Sequence, residues 1–237
     1  MPRFDESRQP VLDALLDHYG PLPIPGGGPT GVDGPRDGAD FFEAIASVVL
    51  GLIAEPRAAS AALEVLRDAG LLDPKGLAEA DPAEVDDVLK QGRARVSGRS
   101  LRPLVKLARW AAADGFDAER SAAASTEALR EAWRGLNGVG PATVDVLLLF
   151  ALGRSTYPVD RATYRVLTRH GWLDPSADYD EARAVAEAIA PDDPASLARL
   201  SVAMERLGRD FCKPGSPRCD RCPLRPFLPE GGPRQPE

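Results

Sequence analysis

The sequence predicts an all-α protein, and three observations carry that expectation. Apolar residues recur at helical spacing in segment after segment, as with Val11, Leu12, Leu15, Leu16 and Tyr19. Helix punctuation separates the segments: Gly20 closes the first, and Asp81 precedes Pro82 as a cap before a proline at the first helical position. No run alternates apolar and polar residues as a half-buried strand would. With 237 residues, 43% hydrophobic and 27% charged, the chain suits one large or two small domains with a sizeable core.

Helices are expected in order over Ser7 to Tyr19, Phe41 to Ala54, Ala58 to Leu72, Pro82 to Gln91 and Ser100 to Ala113. Thr126 to Trp133, Pro141 to Leu152, Asp160 to His170, Tyr179 to Ala190 and Pro194 to Leu207 follow. Pro21 to Asp40, rich in Gly and Pro, reads as a linker. Glu230 to Glu237 reads as a frayed polar tail. No fixed-period repeat suggests a solenoid.

Several classes drop out. The longest apolar run, Val146 to Leu152, is too short to span a bilayer, and no charged start precedes an apolar stretch. The expectation is a cytoplasmic, nucleoid-associated protein with no membrane partner. All three cysteines fall between Cys212 and Cys222, a grouping that suggests a metal site before a disulfide.

The net charge of −7 argues against a nucleic-acid partner when taken alone, but phosphate contacts are local. Three basic groups offset the total. No acid lies between Arg93 and Arg109, where Arg99, Arg102, Lys106 and Arg109 share a helical face. Arg161, Arg165 and Arg169 repeat at four-residue steps, and Arg206, Arg209, Lys213, Arg218, Arg221 and Arg225 crowd the cysteines. Each group is either a solvated helix face or part of an anion-binding surface.

Leu136 to Gly171 is the most informative segment. Leu136-Asn137-Gly138-Val139-Gly140 lies between two expected helices, the second opening at Pro141. Two glycines around one apolar residue permit a tight turn with positive φ. Such a turn, at a helix N-terminus, presents backbone N–H groups to a phosphate without any basic side chain. A plain tight turn between helices reads the same residues equally well. Asp160 opens the next helix but one, either as an N-cap or as a catalytic carboxylate.

The turn, followed by Tyr157-Pro158-Val159-Asp160 and Arg165-Val166, resembles the helix-hairpin-helix DNA glycosylases of the endonuclease III family. Cys212-x6-Cys219-x2-Cys222 is similar to the first three ligands of that family's [4Fe-4S] loop. Phe42-Glu43 resembles the start of its first barrel helix. The resemblance runs from about Phe41 to Leu228. It implies two helical domains with a DNA-binding cleft between them. One is a six-helix barrel bearing the helix-hairpin-helix motif, over 40–147. The other joins 1–39 to 148–228 and carries the cluster loop, with 229–237 as a tail. Double-stranded DNA is the implied partner of a monomeric chain.

What the resemblance assigns is specific. Asp160 matches the catalytic aspartate, which stabilises oxocarbenium charge at the sugar or activates water once the base has left the stack. Gly138, Val139 and Gly140 would hold DNA phosphate. Arg99, Arg102, Lys106, Arg218 and Arg221 would contact the backbone. Leu52 would wedge into the vacated stack, although Leu52-Ile53-Ala54-Glu55 lacks the family's glutamine there and reads equally as core helix. Trp110, Trp133, Trp172, Tyr157 and Tyr164 are stacking candidates or buried core.

The departures shape the function. Ala142 stands where bifunctional members carry a nucleophilic lysine, so the usual Schiff base cannot form. The expectation is a monofunctional DNA glycosylase of base excision repair with Asp160 assisting water. A catalytically weak or inactive DNA-binding derivative is the alternative. Ala162 replaces a frequent histidine. Asp145, one turn after Ala142, either faces the pocket or pairs with an arginine. Leu228 occupies the place of the fourth cluster cysteine. A [4Fe-4S] cluster would thus rest on Cys212, Cys219 and Cys222, with Asp220, Glu230, solvent or His18 completing it; zinc, or no metal, are the other readings.

Overall fold

A computed structural model describes residues 8–25, 40–92, 94–114 and 118–234. Most of the Gly/Pro-rich stretch, 26–39, lies outside the described residues, as do Arg93 and the last three residues. Twelve α-helices are present among the described residues, and no strand. No helix there is long and apolar enough to cross a membrane.

The chain divides into two compact units. In one, described residues up to Ile24 join those from Ser155 onward; the other holds the described residues from Asp40 to Arg154. The division falls between Arg154 and Ser155, later than the sequence boundary at Leu147. Pro141 to Leu152 explains the difference. It forms α9 (Pro141–Val146), continued without a break by a π-helical turn, Leu147–Ala151, all buried. Arg154 then donates to the carbonyls of Ser121 at 2.5 Å and Ala124 at 3.2 Å, holding this stretch to the residues before it.

The larger unit contains α2 (Asp40–Ile53), α3 (Pro56–Asp68), α4 (Pro74–Glu79), α5 (Pro82–Gln91), α6 (Arg102–Asp114), α7 (Ala118–Ala123), α8 (Thr126–Arg134) and α9. Helix α2 lies at its centre. Phe42, Ile45, Ala46, Val48, Val49 and Leu50 are all buried, and α2 packs on α3 and on the π turn. Its rim is tied down where Arg67 donates to Glu43 at 3.3 Å. Caps set the starts: Asp73 accepts from the Gly76 N–H, Asp81 from Ala83 and Ser125 from Ala128. Helix α6 begins later than Ser100, because Gly98–Leu101 is a 3₁₀ turn whose Gly98 N–H donates to Asp86. Helices α4 and α7, six residues each, escape a periodicity argument.

The other unit contains α1 (Arg8–Tyr19), α10 (Arg161–Arg169), α11 (Tyr179–Glu187) and α12 (Pro194–Asp210), followed by the cysteine loop with two short 3₁₀ turns. Helix α10 packs on α11 and α12, and α12 also packs on α1. Gly208 is where α12 meets α10: a Cβ there would lie 2.3 Å from that of Ala162. Ala162 is thus a packing residue. The tail is not frayed before residue 235, since Arg234 N–H donates to the Arg169 carbonyl at 2.9 Å.

Candidate functional site

The hairpin turn forms where the sequence places it. Helix α8 ends at Gly135, and Val139 N–H donates to the Leu136 carbonyl at 2.9 Å, closing the turn. Gly138 has φ +89°, a conformation that a β-branched residue strongly resists. Gly140 differs: its φ of −77° suits any residue, and a Cβ there would meet nothing within 4 Å. A side chain at 140 would therefore project into open space, where only a bound ligand would feel it. Val139 is buried, and its N–H is used inside the turn. It anchors the turn and offers neither group outward. The outward donors that remain belong to Gly140 and the first turn of α9.

Two further contacts brace the hairpin. The Lys106 ammonium donates to the Asn137 carbonyl, so this lysine spends one proton on the turn. Beneath it, Arg130 Nε on α8 donates to Asp145 Oδ1 on α9 at 2.9 Å, with side chains 3% and 0% exposed. Arg130 also donates to Glu127. Asp145 therefore pairs with an arginine. A buried ion pair across the two hairpin helices fixes their approach.

Around the hairpin, Arg102 and Arg109 are exposed on α6. With Lys106 they border a groove of about 820 Å³ whose apolar lining includes Val85 and Val105. The Arg99 side chain lies outside the described residues. Leu52 is 50% exposed and Ile53 38% exposed at the end of α2, beside a groove of about 930 Å³ shared with Arg57 and Arg95. Leu52 is thus not core, and an apolar tip faces solvent.

Asp160 is the N-cap of α10. Its Oδ1 accepts the Thr163 N–H at 2.6 Å, and the residue is exposed. Below it, the buried Tyr157 hydroxyl lies 2.9 Å from Thr163 Oγ1. Burial, and then the Asp160 charge, raise the Tyr157 pKa above the ordinary tyrosine value. Tyr157 is a buried support for the cap and no stacking platform. Trp133 is likewise fully buried, with Trp110 edge-on to it at 5.9 Å. Tyr164 donates to the Pro175 and Ala177 carbonyls at 2.6 and 3.2 Å. Trp172 lies against His170, ring centroids 4.6 Å apart.

The Arg161-Arg165-Arg169 stripe does not face solvent as a unit. Arg165 donates to the Cys212 carbonyl at 3.1 Å and the Arg161 carbonyl at 2.9 Å. Arg169 is buried, donating to Cys212 Sγ at 3.2 Å and to the Lys213 and Pro214 carbonyls. These side chains pin the cysteine loop to α10. On α12, Arg206 and Arg209 pair with Asp210 and Glu205, whereas Arg218 and Arg221 are exposed on the loop.

Cys212, Cys219 and Cys222 line one small cavity with Arg169, His170, Phe211 and Leu228. Leu228, at the missing-cysteine position, thus faces the same space as the thiols. Asp220, Glu230 and His18 do not line it. Among the described residues, no group of three or more His, Cys, Asp or Glu is placed so as to hold a metal ion. Burial raises the Cys219 thiol pKa and pushes Cys222 up to about 11. The Arg169 guanidinium is a buried cation that no carboxylate among the described residues pairs, and its Nε has no hydrogen-bond partner. Buried charge needs an opposite charge. Metal ligation would supply it by deprotonating the thiols, so the donor chemistry fits a thiolate-bound metal centre.

Comparison with known proteins agrees with the all-helical fold. No family model matches the chain. The Methanocaldococcus jannaschii protein MJ1434, whose name assigns it to the DNA repair glycosylases, is 33% identical over 99 residues, covering 42% of this chain and 44% of that one. Sulfolobus acidocaldarius endonuclease III is 32% identical over 100 residues, with the same coverage. The matched segment thus spans less than half the length of each relative. A trapped endonuclease III–DNA covalent intermediate shares the fold over 98% of both chains, with TM-score 0.63 and 20% identity. This likeness shows the fold, an all-helical one matching endonuclease III. A second structure, a thermostable thymine-DNA glycosylase, matches at TM-score 0.63 and 17% identity, covering 94% of this chain and 95% of that one.

His170 is the residue that sequence reasoning missed. It is 6% exposed and lines the cysteine cavity from the C-terminus of α10. Only tertiary structure brings it there, since the carbonyl its Nε2 meets, that of Leu224, lies 54 residues away.

Proposed function

We propose that this chain is a monofunctional DNA glycosylase of base excision repair. It hydrolyses the N-glycosidic bond of a damaged or mismatched base in double-stranded DNA and acts as a monomer at the nucleoid. The observation that carries this reading is an exposed, cap-held Asp160 in a chain that has Ala142 at the lysine position. In the proposed reaction the base is first turned out of the stack. Water attacks the anomeric carbon as the glycosidic bond breaks, and the bonding electrons leave with the base. The Asp160 carboxylate steadies positive charge on the sugar and takes the proton from the attacking water. Thr163 N–H holds that carboxylate in one orientation, and Tyr157 backs Thr163. Ala142 provides no amine, so no Schiff base forms there and the product is an intact abasic strand.

The Gly138–Gly140 turn, Arg102, Lys106, Arg218 and Arg221 are assigned to the phosphate backbone, and Leu52 to the gap left by the base. We assign a [4Fe-4S] cluster to Cys212, Cys219 and Cys222. When bound it supplies structural cross-linking of the loop. Arg169 neutralises the thiolates, while Arg165 holds the Cys212 carbonyl.

The test is a panel of duplexes, each bearing one lesion, incubated with excess protein and split between hot alkali and no treatment. Strand breaks only after alkali support base release without lyase action. Breaks without alkali overturn the monofunctional reading. No breaks in either half, with binding retained in a gel shift, favour a non-catalytic DNA-binding protein instead.

A further inference from the structure

Asp160 stands at the end of a stretch with no regular structure. Residues 155–159 belong to no helix or 3₁₀ turn, so contacts from elsewhere set their position. Helix α11 and the residues just after it supply those contacts. Glu187 Oε1 accepts the Thr156 hydroxyl at 3.0 Å and the Tyr157 N–H at 3.1 Å. At the other end of the same helix, the Tyr179 hydroxyl accepts the Val159 N–H at 3.3 Å. Ser155 donates to Asp192, beyond the end of α11. The helix is itself well anchored. Asp178 and Glu181 form a capping box at its start, Arg183 lies 3.4 Å from Glu187 one turn before its end, and α11 packs on α10.

These acceptors are side chains from far along the chain: Tyr179 lies 20 residues from Val159, and Glu187 30 from Tyr157. Thr156, Tyr157 and Val159 are buried, where a main-chain N–H that loses its acceptor is costly. The stretch therefore stays where two side chains of α11 hold it. Asp160 follows directly. Its carboxylate is fixed downstream by the Thr163 N–H on α10, and its main chain is fixed upstream by the bonds to α11. A displacement of about 1 Å at a reacting group can cost about 100-fold in rate. We infer that Tyr179 and Glu187 are positioning residues for Asp160, with α11 acting as a strap that sets the orientation of the carboxylate. The inference rests on the role given to Asp160 above. Neither Tyr179 nor Glu187 is assigned a contact with DNA.

The test separates rate from binding. Single-turnover base release is measured on the lesion duplex that the wild type processes fastest, and affinity on a duplex carrying a tetrahydrofuran abasic analogue. Tyr179→Phe should slow release about tenfold and leave affinity within about twofold, because no DNA contact is lost. Glu187→Ala should do the same, whereas Glu187→Gln should restore release, since its amide oxygen still accepts from Thr156 and Tyr157. In an Asp160→Asn background, Tyr179→Phe should slow the residual release no further. Tyr179→Phe keeps its ring and packing, so it carries the test if Glu187→Ala fails to fold. Wild-type release by folded Tyr179→Phe, with Asp160→Asn inactive, overturns the strap and leaves the role of Asp160 standing. An equal slowing by Tyr179→Phe with and without the Asp160 carboxylate also overturns it, because the effect would not pass through that carboxylate. Wild-type release by Asp160→Asn, or no release by the wild type from any duplex, overturns the role of Asp160 and the strap with it.

Discussion

The Arg130–Asp145 pair offers a quantitative test of how the hairpin is held. Asp145→Asn keeps the shape of the side chain but removes its charge. Arg130 is then left with its guanidinium buried, its side chain 3% exposed, and with Glu127, itself 72% exposed, as a remaining acidic partner. Breaking one side of a buried ion pair costs about 3–5 kcal/mol. The residual Glu127 contact favours the lower end, about 3 kcal/mol. For a chain of this size that lowers Tm by roughly 6–12 °C. Urea titration followed by circular dichroism measures the loss directly. The double variant R130M/D145L should recover most of it, since an apolar pair of similar volume often replaces a buried ion pair without loss. A loss below about 1 kcal/mol for D145N, or a double variant no more stable than D145N, would refute the assignment of this pair as the hairpin brace.

Other consequences are directly measurable. Gly138→Val should destabilise the fold by about 1–2 kcal/mol, through backbone strain at positive φ, and weaken binding to every DNA sequence alike. Gly140→Val should leave the urea midpoint nearly unchanged, because its Cβ meets nothing, yet weaken DNA binding; unaltered affinity would remove residue 140 from the phosphate contact. Leu52→Ala should leave stability within about 0.5 kcal/mol, as expected for an exposed site, and slow base release in single-turnover assays; unaltered release would exclude the wedge role. Tyr157→Phe should cost about 1 kcal/mol by urea titration, since it strips a buried hydrogen bond from Thr163.

Much of the fold was legible in the sequence because its signals are local. Asp81-Pro82 and Asp160 cap helices in the structure by side-chain bonds within three residues. Gly138 takes the positive φ expected of it. What stayed hidden depends on distant contacts. Asp145 had two readings until Arg130, fifteen residues away, was found beside it. The Arg161-Arg165-Arg169 stripe has the spacing of a solvated face, but the cysteine loop covers part of it. Tyr157 and Trp133 were ambiguous because an aromatic in a helical sequence packs or stacks with equal ease. His170 had no motif spacing to the cysteines, so nothing local pointed to the cavity it lines.

The central claim is that Asp160 performs hydrolysis. Asp160→Asn in single-turnover base release tests it most directly. Asparagine caps helices about as well as aspartate, so the Thr163 N–H keeps an acceptor and the fold should be retained. The account predicts loss of alkali-revealed breaks by about 100-fold or more, in line with removal of a general base, while DNA affinity stays level or rises. Release at the wild-type rate by a folded, DNA-binding Asp160→Asn protein would contradict it.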